Sequence, residues 1–185
     1  MIHSALLSRE RSALVLVDYQ SRLMHLLDGG AAALAAGLFL AQVARTLGLP
    51  VVGTEQNPKA LGPNDPTLRG MCEPTLAKMH FDATADGLLA PLQARAVQQV
   101  VLAGCETHVC LTQTALGLLA AGLQVAVVPE ACASRRPADK ALALERLRAA
   151  GAQLLGAEMV AFEWLRSCEH PQFKAVLALI KARPV

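Results

Sequence analysis

The chain has 185 residues, of which 54% are hydrophobic, 17% are charged and 3% are aromatic. Its formal net charge is +2 and its basic residues are dispersed, so it lacks the clustered positive charge of a nucleic-acid-binding face. No apolar run reaches the roughly 18 residues of a membrane-spanning helix. The opening MIHSALLSRERS is too short and too soon charged for a signal peptide. The five cysteines include no CxxC pair, which favours free thiols in a reducing cytosol over a disulfide framework.

The length fits one domain, which we expect to span residues 1–185 without an internal boundary. The charged share is below the roughly 25% that is usual for globular domains. Either much of the chain is internal to a layered fold, or part of its surface is covered by another subunit.

Short apolar runs alternate with segments of helical spacing along the chain. Strands are predicted at 13–17, 51–55, 76–80, 100–104, after Gly122, and at 153–155. Helices are predicted at 31–47, 84–95, 107–119, 138–150, 157–165 and 171–182. The segment 57–74 holds four prolines and reads as an extended loop, a feature that is often functional. This alternation predicts an α/β fold with a mainly parallel sheet and helices on both faces.

Polar residues follow several of the predicted strands, at the edge where parallel sheets bind ligands. Asp18 follows the first strand, Glu55 and Gln56 end the second, and Cys110 follows the fourth. Tyr19 and Gln56 are expected to line a pocket there, on position alone.

Cys110 lies just inside the start of the helix predicted over 107–119. Free backbone N–H groups and the positive end of the helix dipole favour thiolate over thiol, which suits a nucleophile. The alternative is a small buried residue that packs the helix on the sheet. This segment alone does not distinguish a nucleophilic cysteine from a buried packing residue.

Two charged residues accompany the cysteine. Asp18 either caps the following turn or is a half-buried carboxylate with a tunable pKa. Lys78, in TLAKMHFDA, is either solvated or a cation that holds a thiolate and a carboxylate in place. His108 is two residues from Cys110, about 200° around a helix, so a general base comes more easily from another strand.

Motifs for metals and nucleotides are absent from the sequence. There is no HxxxH, HExxH or Asp-x-His cluster, so no protein metal site is expected. GxGxxG and GxxxxGK[ST] are also missing, which removes the main support for a nucleotide cofactor. We expect no cofactor.

Three segments together resemble the isochorismatase-like cysteine hydrolase superfamily. They are ALVLVDYQ, LAKMHFDA and GCETHVCLTQTALGLLAAGLQVAVVPEACASR, and their order and spacing also fit. Within the superfamily, TEQNPKALGP and HPQFKAVLALIK look most like the isochorismatase domain-containing proteins, including the type called protein 2.

The resemblance implies a three-layer Rossmann-like fold with a six-stranded sheet. It places the catalytic triad on Asp18, Lys78 and Cys110, and an oxyanion hole on the backbone N–H groups of Glu106 and Cys110. It also implies a cis peptide bond between Cys105 and Glu106, which a non-proline residue adopts at a cost of about 3–4 kcal/mol.

Two departures from related enzymes argue against nicotinamide and against isochorismate as the substrate. Nicotinamidases of the superfamily carry metal-binding Asp-x-His after the second strand, where this chain has TEQNPKALGPNDP. Isochorismatases proper lack the nucleophilic cysteine that this chain carries at position 110.

Two hypotheses follow. The first is a cytoplasmic thiol hydrolase that cleaves a small amide or related C–N bond and assembles as a homo-oligomer. The second keeps the fold but acts as an assembly or interaction module, because Ala-rich helices and low charge favour oligomerisation. No nucleic-acid or membrane partner is expected.

Overall fold

A six-stranded sheet forms the centre of the protein in the computed structural model, which describes residues 6–183. The strands are β1 Ser12–Val17, β2 Val51–Gln56, β3 Thr75–Lys78, β4 Gln99–Cys105, β5 Gln124–Ala133 and β6 Gln153–Leu154. Their order in the sheet is β3-β2-β1-β4-β5-β6, and every neighbouring pair is parallel. The predicted parallel sheet is confirmed.

The two central strands are apolar because both of their faces are covered. All residues of β1 and β4 are buried. Side chains alternate along a strand, so Leu14 and Leu16 join one hydrophobic cluster while Val15 and Val17 join the other. Continuous apolar runs such as ALVLV are typical of parallel strands buried in this way.

Helices cover both faces of the sheet. They are α1 Ser21–Met24, α2 Gly30–Thr46, α3 Pro58–Leu61, α4 Pro66–Arg69, α5 Leu89–Gln93, α6 Thr112–Ala120, α7 Pro137–Ala149, α8 Ala157–Leu165 and α9 Phe173–Lys181. Helices α2, α8 and α9 contribute to the cluster of Leu14 and Leu16. Helices α5, α6 and α7 contribute to the opposite cluster. The protein therefore has the three-layer α/β architecture that the sequence predicts.

Three predicted segments differ from the structure. The helix predicted at 84–95 is split, because Gly87 adopts a left-handed backbone (φ +94°) between a 3₁₀ turn and α5. The loop at 57–74 contains α3 and α4, each opened by a proline at its first position. The helix predicted at 107–119 begins as a π-helical turn, Thr107–Leu111.

Across residues 6–183, none of the helices is long and apolar enough to cross a membrane. The sequence predicts that the opening segment is not a signal peptide. Residues 1–5 of this segment lie outside the described residues.

Candidate active site

The carboxyl ends of four neighbouring strands surround one cavity of about 530 Å³. Asp18 follows β1, Gln56 ends β2 and Lys78 ends β3, while Cys110 lies in the turn after β4. The residues that line the cavity are Asp18, Leu23, Gln56, Leu61, Phe81, Cys105, Glu106, His108, Val109, Cys110, Arg135, Arg136 and Asp139. Lys78 lies directly behind this wall, against Asp18.

The Asp18 carboxylate is buried and held on both of its oxygens. Oδ1 accepts a hydrogen bond of 2.7 Å from the hydroxyl of Thr54. Oδ2 lies 2.8 Å from Nζ of Lys78, and both side chains are almost completely buried. The residue has a left-handed backbone (φ +56°), which turns the chain sharply at the end of β1. This geometry fixes a carboxylate at the cavity floor.

The Lys78 ammonium is surrounded by acceptors. Besides Asp18, Nζ donates to Oε1 of Gln56 at 2.6 Å and to the carbonyls of His80 and Phe81, both at 3.4 Å. A buried ammonium is tolerated when a carboxylate and further acceptors replace its water shell. Lys78 is therefore locked at the site as a fixed positive charge.

The Cys110 thiol is close to the same groups, and its pKa is raised. Burial raises its pKa to about 12, and the negative charge of Asp18 acts in the same direction, whereas Lys78 opposes both. Its Sγ lies 3.9 Å from Oε1 of Gln56. The raised pKa opposes the thiolate that the helix start is expected to favour, because burial penalises the charged form.

A second polar cluster forms the opposite wall of the cavity. Glu106 accepts a hydrogen bond of 2.7 Å at Oε1 from Nε of Arg135. Its Oε2 lies 3.4 Å from Nδ1 of His108, which in turn lies 3.1 Å from Oγ of Ser134. Nε2 of His108 lies 4.0 Å from Oδ2 of Asp139. The cluster ties the Cys110 turn to the segment that follows β5.

Gln56 lies where the sequence predicts, and Tyr19 does not. Gln56 lines the cavity and its Nε2 donates to the carbonyl of Met79 at 2.9 Å. The prediction that Tyr19 lines the pocket is wrong: its ring is fully buried, and its hydroxyl donates to the carbonyl of Ala131 at 2.5 Å. The left-handed turn at Asp18 directs Asp18 into the cavity and Tyr19 into the core.

The predicted cis bond between Cys105 and Glu106 is also wrong. Within residues 6–183, the cis peptide bond is Glu73–Pro74, and the bond before Glu106 is trans. Glu106 instead has a left-handed backbone (φ +50°, ψ +62°). The chain thus makes its sharp turn from β4 into the Cys110 segment through backbone dihedral angles.

Sequence reasoning named Glu106 for its backbone N–H and set His108 aside as a base, but it missed the side-chain cluster of the opposite wall. His108 lines the same cavity as Cys110, because the π-helical turn spaces residues differently from the α-helix assumed in the prediction. Arg135 follows shortly after the last residue of β5. Ligands bind at the carboxyl ends of parallel strands, and this rule, which located Asp18 and Cys110, therefore also applies to Arg135.

Among residues 6–183, no group of three His, Cys, Asp or Glu side chains could hold a metal ion.

Comparison with known proteins places the chain in a family. The family model for the isochorismatase domain matches residues 12–159. Isochorismatase domain-containing protein 2 of Bos taurus is 40% identical over 171 residues, covering 92% of this chain and 83% of the relative. This agrees with the resemblance to the protein 2 type that the sequence segments indicate.

Solved structures with the same fold carry differing names. MAR1 ribonuclease from Caenorhabditis elegans is 33% identical with a TM-score of 0.89, covering 98% of this chain and 95% of that chain. YcaC from Pseudomonas aeruginosa, solved with hexane-2,5-diol and covalent acrylamide, is 28% identical with a TM-score of 0.88, covering 97% and 93%. YcaC from Escherichia coli, described as an octameric hydrolase of unknown specificity, is 27% identical with a TM-score of 0.87, covering 94% and 88%.

The sequence match, the fold and the hydrolase relatives agree with one another and support a hydrolase function. The protein belongs to the isochorismatase family.

Proposed function

We propose that the protein is a cysteine hydrolase that cleaves a small amide or related C–N bond through a thioester at Cys110. The observation that carries this proposal is the buried ion pair of Asp18 and Lys78, whose carboxylate lines the same cavity as the Cys110 thiol. An ion pair in this position is costly to bury and is worth keeping where chemistry needs it.

The first half of the reaction forms the thioester. Asp18 takes the proton of Cys110 as its sulfur attacks the substrate carbonyl carbon, which becomes tetrahedral and carries an oxyanion. Lys78 balances the negative charge that moves between Asp18 and the sulfur. The intermediate then collapses, the C–N bond breaks, and Asp18 returns the proton to the leaving amine.

The second half releases the acid product. Asp18 accepts a proton from a water molecule as this water attacks the thioester carbonyl carbon. The C–S bond breaks, the carboxylic acid leaves, and the proton returns to the Cys110 sulfur. In both halves, the backbone N–H groups of Glu106 and Cys110 hold the oxyanion, as the family resemblance implies.

The cavity supports a small substrate. Its volume of about 530 Å³ is in the range of small-molecule sites. Leu23, Leu61, Phe81 and Val109 supply apolar walls, and the polar groups lie at the floor and along one side. A compact amide with one apolar side fits this distribution.

RNA is a less well supported substrate, although neighbouring structures, among them the one from Caenorhabditis elegans, are named as ribonucleases. The arginines of the cavity wall are Arg135 and Arg136, and Arg135 is engaged by Glu106. RNA binding depends on several cations along the phosphate backbone. An RNA cleavage assay that compares the wild type with Cys110→Ser separates the two substrate classes.

Selective alkylation of Cys110 tests the proposal. We expect iodoacetamide to modify Cys110 near neutral pH faster than it modifies a thiol of the unfolded chain, because Asp18 assists proton removal. Peptide mass spectrometry distinguishes Cys110 from the exposed Cys168, which serves as the internal reference. Asp18→Asn is expected to slow Cys110 labelling at neutral pH and to leave Cys168 labelling unchanged.

The proposal fails if Cys110 reacts no faster than the unfolded thiol and Asp18→Asn leaves that rate unchanged. In that case the alternative of an assembly or interaction module gains support. A screen of small amides with the wild type and Cys110→Ser then identifies substrates, since turnover by the proposed route requires the sulfur.

We also propose that the protein forms homo-oligomers in a reducing cytoplasm, as one domain over residues 1–185. The octameric neighbour supports assembly, as do the exposed side chains of Met159 and Phe162, which line one surface hollow on α8. All five cysteines are free, which suits a reducing compartment. Light scattering coupled to size-exclusion chromatography measures the assembly, and a monomer at micromolar concentration contradicts it.

A further inference from the structure

Glu106 occupies a strained position between β4 and the turn that carries Cys110. Its backbone is left-handed (φ +50°, ψ +62°), although it is not a glycine. Such a backbone is rare for residues with a long side chain and persists where the surrounding structure holds it. The contacts of Glu106 therefore show what fixes this turn.

The Glu106 side chain is held from two directions. Arg135, which follows β5, donates from Nε to Oε1 at 2.7 Å. His108, in the π-helical turn, places Nδ1 3.4 Å from Oε2 and 3.1 Å from Oγ of Ser134. The carbonyl of Glu106 also accepts a hydrogen bond of 2.8 Å from the backbone of Val109. Side chain and backbone are thus fixed together.

An ordinary surface ion pair does not explain this arrangement. Exposed Arg–Glu pairs contribute little to stability, and the Arg135 side chain is 64% exposed. The Glu106 side chain, however, is only 11% exposed and forms part of the cavity wall. The family resemblance makes its own backbone N–H, four residues before Cys110, an expected oxyanion donor. The contacts therefore act on local geometry at the reacting centre.

We propose that Arg135 and His108 hold the Glu106 carboxylate so that the left-handed turn aims the backbone N–H groups of Glu106 and Cys110 at the oxyanion. This inference rests on the proposed cysteine hydrolase function. The Glu106 carboxylate is a positioning group: it acts through the backbone that carries it and does not touch the reacting atoms.

Two neutral thiol reagents separate orientation of the oxyanion donors from reactivity of the sulfur. When the Cys110 sulfur adds to the β-carbon of acrylamide, negative charge moves to the amide oxygen, and the α-carbon is protonated afterwards. When the sulfur displaces iodide from iodoacetamide, no charge develops on the amide oxygen. Only the first reaction requires the oxyanion donors, and a relative with covalent acrylamide shows that the reagent suits this fold.

The variants Glu106→Gln and Arg135→Gln test the inference. We expect each to lower the acrylamide rate at Cys110 by about tenfold relative to the iodoacetamide rate. Arg135→Lys keeps the positive charge and is expected to recover part of the loss. Both reagents are neutral, so a changed charge at the cavity wall does not itself alter the ratio of the two rates.

Arg183→Gln is the matched control. It breaks the ion pair of Arg183 with Glu130 (2.6 Å), away from the cavity, and is expected to leave the ratio unchanged. Normal iodoacetamide labelling of Cys110 shows in each variant that the site is folded. A ratio within twofold of the wild type in both Glu106→Gln and Arg135→Gln overturns the inference while the nucleophile stands. If wild-type Cys110 reacts with neither reagent, the proposed function fails and the inference fails with it.

Discussion

The ends of two strands in this protein share a left-handed backbone and a carboxylate paired with a cation, but the two pairs differ in burial. Asp18 follows β1 and Glu106 follows β4, and these strands are neighbours in the sheet. Both residues have left-handed backbones, with φ of +56° and +50°. Each presents a carboxylate to the same cavity, and each carboxylate is paired with a cation, Lys78 or Arg135.

Burial separates the two pairs. The side chains of Lys78 and Asp18 are 0% and 1% exposed, whereas those of Arg135 and Glu106 are 64% and 11% exposed. Removing one member of a buried pair leaves a charge without compensation, but water replaces a missing partner at the surface. The same turn geometry therefore serves a pair at β1 whose single removal leaves a buried charge uncompensated, and a pair at β4 that we propose orients the backbone.

Lys78→Met is the substitution with the largest expected effect. It leaves the Asp18 carboxylate buried without a cation, so we expect the free energy of unfolding to fall by about 3–5 kcal/mol. Urea unfolding followed by circular dichroism measures the change. The double variant Asp18→Asn, Lys78→Met removes both charges and should recover most of the stability. If the single variant lowers the free energy of unfolding by less than about 1 kcal/mol, the buried pair and the exposed pair do not differ in their effect on stability.

Gly104→Ala forces the two strand ends apart. A Cβ at this position would lie 2.5 Å from the carbonyl oxygen of Val17, so β4 and β1 cannot keep their spacing. We expect a loss of about 1–3 kcal/mol in the free energy of unfolding, together with slower labelling of Cys110. Gly156→Ala is the control, because its Cβ would meet nothing closer than 3.6 Å. Equal effects of the two substitutions would contradict the close approach.

The pH dependence of Cys110 alkylation distinguishes the two carboxylates. The charge of Asp18 helps to raise the Cys110 pKa to about 12, and Glu106 is not among its causes. Removing a negative charge favours the thiolate, so Asp18→Asn should lower the alkaline midpoint of the labelling rate by about one pH unit or more. Since the same variant loses the proposed base, its labelling rate should be lower than that of the wild type near neutral pH and higher at alkaline pH.

Glu106→Gln should leave the midpoint of that profile unchanged. Stopped-flow labelling with peptide mass spectrometry gives the profile, and a shift of similar size in both variants would show that the two carboxylates act alike on the sulfur.

The smallest expected effect on stability is that of Glu106→Gln. The variant breaks a pair whose arginine is largely exposed, so we expect the free energy of unfolding to change by less than about 1 kcal/mol. Thermal unfolding compares it with Arg183→Gln, which breaks another partly exposed pair. A loss as large as that of Lys78→Met would show that Glu106 supports the whole fold.

The sequence predicts the sheet well because its signals are local. Apolar runs such as ALVLV and VVLAG are long enough to identify buried strands, and the strand ends bring Asp18, Lys78 and Cys110 together by topology. The bounds of the helix at 157–165 are also those of the structure. These features can be predicted without knowing which distant segments of the chain are in contact.

The features that sequence reasoning gets wrong depend on distant contacts. Tyr19 turns into the core because α2 carries Gly37, where a Cβ would lie 2.8 Å from the tyrosine hydroxyl. The raised pKa of Cys110 follows first from its burial and then from the charge of Asp18, which is distant in the sequence. The backbone at Glu106 is fixed partly by Arg135, 29 residues further along the chain. None of these partners is visible in a local window of sequence.

The position of Lys78 has a consequence for how the protein loses activity. Strand β3 has four residues and lies at the edge of the sheet, paired with β2 alone. Short edge strands exchange their amide hydrogens through subglobal openings that require less free energy than global unfolding. Each such opening withdraws the lysine from Asp18 while β1 and β4 stay paired. From the proposed role of Lys78, we therefore expect catalysis in mild denaturant to decline before the far-ultraviolet circular dichroism signal of the central sheet changes.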